Sequence, residues 1–277
     1  MVELADVTPI LHPVTPRTKL VPMIGHPIAQ VITPEPMNRY FQRSGIDAAV
    51  IPMDIAPSQV SAFFSILRGW ANCIGVSVTM PHKQAAFNAC DTLSERAAQA
   101  GAVNLIQRGA TGMLHGDMTD GAAFVAAITG KGATIRGSRF LLIGAGGAGA
   151  AVAHAIAEAG ASRIYTIDID AERSQTLARS LRSHHPLVQV DGPPDDYSAI
   201  DIVFNATPLG MITRDPLPLD LSRLSVGCIV ADAVTKPLIT PFIAAARANA
   251  HSTLTGEEMA LAQLAIQLPL WGFGYQA

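Results

Sequence analysis

An α/β fold in two parts is what this sequence predicts, and three observations carry the prediction. Short apolar runs alternate with helical patterns along most of the chain, the rhythm of sheets covered by helices. Gly130, Gly132 and Gly137 loosen the chain between two such series. A length of 277 residues accommodates one large domain or two. With 49% hydrophobic against 15% charged residues, the core needs no staples and disorder is excluded.

In the first series, residues 19–24 read as a strand stopped by Gly25. Residues 34–44 read as a helix with Thr33 as its N-cap and Pro34 at the first helical position. A second strand covers 48–53. The helix over 56–69 places Val60, Phe63, Phe64 and Leu67 on one face, and 74–79 is a third strand. Pro81 then opens a helix through Ala89. Residues 102–107 and 113–116 read as short strands, leading to Asp120 as the N-cap of a helix over 121–129. The second series has a strand at 139–143, a helix at 148–159, a strand at 163–167 and a helix at 171–183. Strands at 200–205 and 228–231, a helix at 240–250 and a closing helix over 256–272 complete it.

Composition narrows the function. Nineteen basic against 22 acidic residues give a net charge of −3, which argues against a nucleic-acid footprint, and 5% aromatic residues offer no stacking platform. No stretch has the roughly 18 uninterrupted apolar residues of a membrane span. The N-terminal 20 residues carry acids and prolines where a signal peptide would be basic and then apolar, so they read as an irregular arm and the location as cytoplasmic. Cys73, Cys90 and Cys228 are far apart, with no CxxC and no zinc spacing. They read as reduced, mostly buried thiols, with no metal site.

The clearest chemical signal is Gly144-Ala145-Gly146-Gly147-Ala148-Gly149, a GxGxxG directly after a predicted strand and opening a predicted helix. Gly144 permits the tight turn, Gly146 lets the backbone approach a pyrophosphate, and Gly149 allows close packing of helix on strand. The helix N-terminus offers N–H groups and positive dipole to phosphates. This makes the second series a Rossmann-type, doubly wound dinucleotide-binding domain. Asp168, at the end of the next strand, is placed to accept from both ribose hydroxyls. With no arginine at 169 or 170, the expectation is NAD in preference to NADP, with NADP possible. Asp168 is otherwise a helix N-cap, a task for which Asp170 is better placed.

Lys83 falls in the first turn of a helix at the carboxyl end of a strand, where the macrodipole disfavours a cation. Such violations of a local rule gather at functional sites, although a surface lysine is the plain alternative. Taken singly, Asp120 is a cap, Asn104 a turn residue, and the segment Asn205, Ala206, Thr207, Pro208 either a turn or a loop beside a nicotinamide.

Taken together, the order GHPIA, VTMPHK, GAVN, TDG, IGAGGAG, NATPLG, then Asp232 with Pro237 and a late Gln263, closely resembles the shikimate/quinate dehydrogenase family from Gly25 to about Trp271. The resemblance implies an N-terminal α/β substrate domain over 1–119, with 251–277 returning to it, and the NAD(P)-binding Rossmann domain over 120–250. It implies hydride transfer between a ring hydroxyl and ketone of a cyclic polyol carboxylate, with Lys83 and Asp120 as the catalytic pair. Asn104 and Gln263 then match positions that bind ring hydroxyls, while Thr79 and Thr119 line the same pocket. Gly256 and Met259 lie near the nicotinamide. The partner is a small cyclic hydroxy acid, with the chain as monomer or homodimer.

Departures from the family pattern concentrate at one end of that site. Val31 and Thr33 stand where two serines usually hold the substrate carboxylate, and Thr235 replaces the tyrosine of DxxYxP. Met118 and Ser77 stand where asparagine is usual. These changes leave a same-fold dehydrogenase for another cyclic alcohol as the alternative, with a non-catalytic dinucleotide-binding protein behind it.

Overall fold

The computed structural model describes residues 14–212 and 214–275, so most of the expected N-terminal arm lies outside the described residues. Two six-stranded sheets follow one another along the chain. The first contains β1 (Lys19–Gly25), β2 (Ala48–Asp54), β3 (Gly75–Val78), β4 (Thr92–Leu93), β5 (Leu105–Arg108) and β6 (Leu114–Asp117). Their order is β2-β1-β3-β5-β6-β4. β1 runs parallel to β2 and β3, β5 runs antiparallel to both β3 and β6, and β4 is parallel to β6. β1, β3 and β6 therefore end at the same edge, and β5 starts there.

The second sheet contains β7 (Arg139–Ile143), β8 (Arg163–Ile167), β9 (Gln189–Asp191), β10 (Ile202–Asn205), β11 (Ile229–Asp232) and β12 (Ser252–Leu254). All its pairs are parallel, in the order β12-β11-β10-β7-β8-β9. This is the doubly wound dinucleotide-fold order, with its switch point between β7 and β10. Strand alternation sorts the core as a period of two requires: Phe140 and Leu142 face one apolar cluster, Leu141 and Ile143 the other.

Among the described residues ten α-helices cover the sheets: α1 (Pro34–Arg43), α2 (Val60–Gly69), α3 (Lys83–Ala89), α4 (Glu95–Ala100), α5 (Asp120–Gly130), α6 (Gly147–Glu158), α7 (Ala171–His184), α8 (Pro241–Ala248), α9 (Gly256–Ala262) and α10 (Leu264–Leu270). α5 follows the first sheet yet packs Phe124 and Ile128 into the core of the second. α9 sends Met259 into that same core, whereas Leu264 and Leu268 of α10 join Val21, Met37 and Phe41 under the first sheet. The chain thus crosses at α5 and returns between α9 and α10, after β12.

Several elements differ from expectation for local reasons. The helix expected from Pro81 starts at Lys83, because a turn closed by His82 N–H on the Thr79 carbonyl (3.0 Å) comes first. Thr33 occupies the N-cap of α1 but makes no capping bond. The N-cap of α5 is Thr119, which frees the Asp120 side chain from the capping task expected of it. The single closing helix divides at Gln263, and the strand expected from 200 starts at Ile202. β4, α4, β9 and β12, at two, six, three and three residues, are too short to show a period. No described helix is long and apolar enough to cross a membrane. Burial pushes the Cys73 thiol up to about 11 and the Cys90 and Cys228 thiols up to about 12.

Candidate active site

A cleft of about 760 Å³ opens where the carboxyl edges of the two sheets meet. α3 begins just beyond β3, so Lys83 reaches the cleft from one element. Asp120 begins α5 just beyond β6, and Asn104 precedes β5 at the same edge. The mixed topology of the first sheet is what brings these three together.

Lys83 Nζ donates to Asp120 Oδ2 at 2.5 Å, with the lysine side chain 19% and the aspartate 4% exposed. The other carboxylate oxygen, Oδ1, accepts from the amide of Asn104 (2.7 Å) and from that of Gln263 (2.8 Å). Asn104 is itself fixed: its oxygen accepts from Thr119 N–H (2.8 Å), and its amide nitrogen also donates to Thr119 Oγ1 (3.0 Å). Gln267 donates to the same hydroxyl at 3.0 Å. Asn104 and Thr119, expected at the pocket wall, therefore stand behind Asp120 and set its orientation. Lys83, Asp120, Gln263 and Thr79 line the cleft, as do Thr33 and Thr235.

The second sheet contributes the glycine-rich turn after β7. Ala145, Gly146, Gly147 and Ala148 line the cleft, with Ala206, Thr207, Pro208, Gly256 and Met259. Gly144, Gly149, Asp168 and Asn205 support them from behind. A Cβ on Gly149 would lie 2.0 Å from the Gly144 carbonyl oxygen, so only glycine closes this turn. A Cβ on Gly147 would meet Ala102 Cβ at 2.8 Å and come within 3.9 Å of Lys83 carbons, which shows how closely the turn abuts the lysine. Gly146 faces open space and caps α6 without a side chain, presenting a helix N-terminus to the cleft. These residues fit a pyrophosphate.

Asp168 and Asp170 have separate tasks. Asp170 caps α7 through the N–H groups of Glu172 (3.0 Å) and Arg173 (3.3 Å). Asp168 accepts from Ala145 N–H (2.6 Å) and Asp170 N–H (2.8 Å), tying the glycine-rich turn to the end of β8. Arg173 lines the cleft at this end. Asn205 holds its own loop, accepting from Thr207 N–H and Oγ1 and donating to the Leu209 carbonyl and to Asp232.

Sequence reasoning missed Gln267, whose partners lie 148 residues away in Thr119 and four residues away in Gln263. A glutamine among the apolar residues of a closing helix was the only signal in the sequence. It also passed over Gln30 and Met211, both in the cleft wall.

Comparison with known proteins agrees with this fold. The profile described as the shikimate dehydrogenase substrate binding domain matches residues 23–106. The chain is 38% identical to the shikimate dehydrogenase (NADP(+)) of Acidiphilium cryptum, over 92% of this chain and 91% of that protein. A shikimate 5-dehydrogenase from Thermus thermophilus, solved with NADP(H) and shikimate, superposes with a TM-score of 0.82 at 27% identity, covering 92% and 93% of the two chains. A 5-ketofructose reductase of Gluconobacter superposes with a TM-score of 0.81, also at 27% identity, over 93% and 94%.

The expected preference for NAD is overturned by the curated relatives, which are named shikimate dehydrogenase (NADP(+)). The geometry supplies a physical reason for the error. Arg173 brings a cation to the same end of the cleft, and the Asp168 carboxylate, with one backbone N–H on each oxygen, keeps only its remaining lone pairs for a ribose.

Proposed function

Because the chain belongs to the shikimate dehydrogenase family of oxidoreductases, we propose that it interconverts a secondary alcohol and a ketone on a polyhydroxylated substrate with NADP(H), using Lys83 and Asp120 for proton transfer. The observation that carries this reading is the 2.5 Å ammonium–carboxylate pair lining the cleft beside the glycine-rich turn.

When bound, the cofactor supplies or accepts the hydride. The turn 144–149 and the N-terminus of α6 would hold its pyrophosphate, and Arg173 its additional phosphate. The loop 205–208, Gly256 and Met259 would border the nicotinamide. On the same reading the first sheet is the substrate part and the second the cofactor part.

Ketone reduction leaves the substrate oxygen one proton short, and alcohol oxidation releases one. Lys83 Nζ would donate that proton in one direction and take it up in the other. Asp120 keeps the ammonium in place: two amides occupy Oδ1, so Oδ2 is the oxygen left for Lys83. Asn104, Thr119 and Gln267 are positioning residues, acting on the substrate only through Asp120 and Gln263. Gln263 and Thr79, with Thr33 and Thr235 farther along, would contact the substrate.

The test is NADP(H)-linked initial rates, followed at the reduced-nicotinamide absorbance, with shikimate, quinate and 5-ketofructose. Turnover of any of them supports the reading. Measurable NADPH binding with no turnover of any polyhydroxylated alcohol or ketone overturns it.

A further inference from the structure

Charged groups are few in the cleft. Among the described residues its lining cations are Lys83, Arg173 and Lys236, and its one lining anion is Asp120. Lys83 is paired with Asp120, and Arg173 lies at the cofactor end, 3.3 Å from Asp170. Met23 of β1 and Val31, Ile32 and Thr33 of the segment after it form a separate wall, joined by Met211 and Thr235. The hydroxyls of this wall are engaged within the protein. Thr33 Oγ1 donates to Met23 Sδ at 3.2 Å, and Thr235 Oγ1 donates to the Gln30 carbonyl at 3.1 Å. Lys236, exposed at the rim, donates to the Ala29 carbonyl at 3.0 Å. The Gln30 side chain has no hydrogen-bond partner among the described residues, and it is a neutral amide offering both donors and an acceptor.

We infer, resting on the oxidoreductase reading above, that the part of the substrate seated on this wall is uncharged: a polyhydroxylated ring or ketose without a carboxylate at that end. A carboxylate leaving water needs charge-assisted donors in exchange; the wall of Met23, Val31 and Ile32 has both threonine hydroxyls turned to the protein, and the nearest cation, Lys236, stays at the exposed rim on the Ala29 carbonyl. Hydroxyl and carbonyl groups lose much less on leaving water, and the Gln30 amide matches either. The chemistry at Lys83 needs only the alcohol or ketone, so it is indifferent to charge at the other end.

The experiment compares shikimate with its methyl ester and carboxamide, using the purified full-length chain and NADP+, with 5-ketofructose and NADPH as a second uncharged probe. Acid and ester differ in charge and little in shape, so their kcat/KM ratio reads the wall. The expected ester-to-acid ratio is about tenfold, the scale of one missing charge-assisted hydrogen bond. A ratio of one or below overturns the inference while leaving the oxidoreductase reading intact. Absence of turnover with every probe, alongside NADPH binding, overturns that reading and this inference with it. Turnover of 5-ketofructose alone supports both. Val31→Arg places a cation in the wall and is expected to move the ratio at least tenfold toward the acid. An unchanged ratio in a folded variant would show that the wall does not set the preference.

Discussion

Asp120, which begins α5 just beyond β6, and Asp232, which ends β11, are both buried at the carboxyl edge of a sheet, and the two are held in different ways. Asp120 accepts from two side-chain amides and from the Lys83 ammonium, and it lines the cleft. Asp232 accepts from Asn205 (3.0 Å), Thr240 Oγ1 (2.6 Å) and Val234 N–H (3.0 Å), with no cation within its hydrogen-bonding shell. Burial therefore pushes the Asp232 carboxyl above its usual range, and these three hydrogen bonds offset only part of the rise. The difference teaches what separates a chemical group from a strut. A carboxylate paired with a movable cation at a cleft can take part in proton traffic. One enclosed by neutral donors ties a loop and a helix to two strand ends.

The largest expected effect breaks the comparison at Asp120. Lys83→Ala should lower kcat by at least about 10²-fold, the usual scale for a positioned acid–base group. A surviving kcat would mean that the pair is as structural as Asp232. The counterpart is Asp232→Ala, which strands the donors of Asn205 and Thr240 in the interior. Chemical denaturation should show a loss of about 3 kcal/mol. Asp232→Asn, neutral but still an acceptor, should cost only about 1 kcal/mol, and equal losses would show that the charge matters there after all.

A smaller effect sharpens what the second sheet contributes. Gly149→Ala forces a Cβ onto the Gly144 carbonyl, and titration of the nicotinamide fluorescence should show NADPH binding weakened about tenfold. Unaltered binding would detach the glycine-rich turn from the cofactor.

The smallest effect comes from a region touching neither edge. His154 of α6 is 3% exposed and sits against His185 and His184. Burial, with those two neighbours, pulls it down to about 4. The unfolded chain binds this proton near pH 6.5 and the folded chain does not, so stability falls as pH drops from 6.5 toward 4. From pH 7.5 to 5.5 the loss is about 1 kcal/mol. His154→Leu should flatten Tm over that window. Asp117, which burial raises but Arg96 and Ser94 bring to a net lowered value, loses its contribution only at more acid pH.

How much was legible depended on how local each requirement is. The glycine-rich turn showed itself because φ and close approach are properties of a few consecutive residues, and Lys83 because it breaks a rule of its own helix. Asp120 was ambiguous for the same reason: capping is also local, and only the structure assigns the cap to Thr119. α4 was lost to brevity, and Gln267 to the sequence distance between it and Thr119.

By itself the sequence determined an α/β chain in two series, the nucleotide turn, the lysine–aspartate pair as candidates, and the substitutions Val31 and Thr235 at one end of the site. Tertiary structure alone decided three further things. It turned β5 antiparallel, so that Asn104 arrives at the edge where Lys83 and Asp120 start their helices. It engaged Asp168 with backbone N–H groups, which a residue type cannot disclose. It also turned the hydroxyls of Thr33 and Thr235 into the protein, because a hydroxyl's direction is fixed by whichever acceptor packing brings nearest. Side-chain identity travels with the sequence, whereas partners are chosen only when distant segments meet.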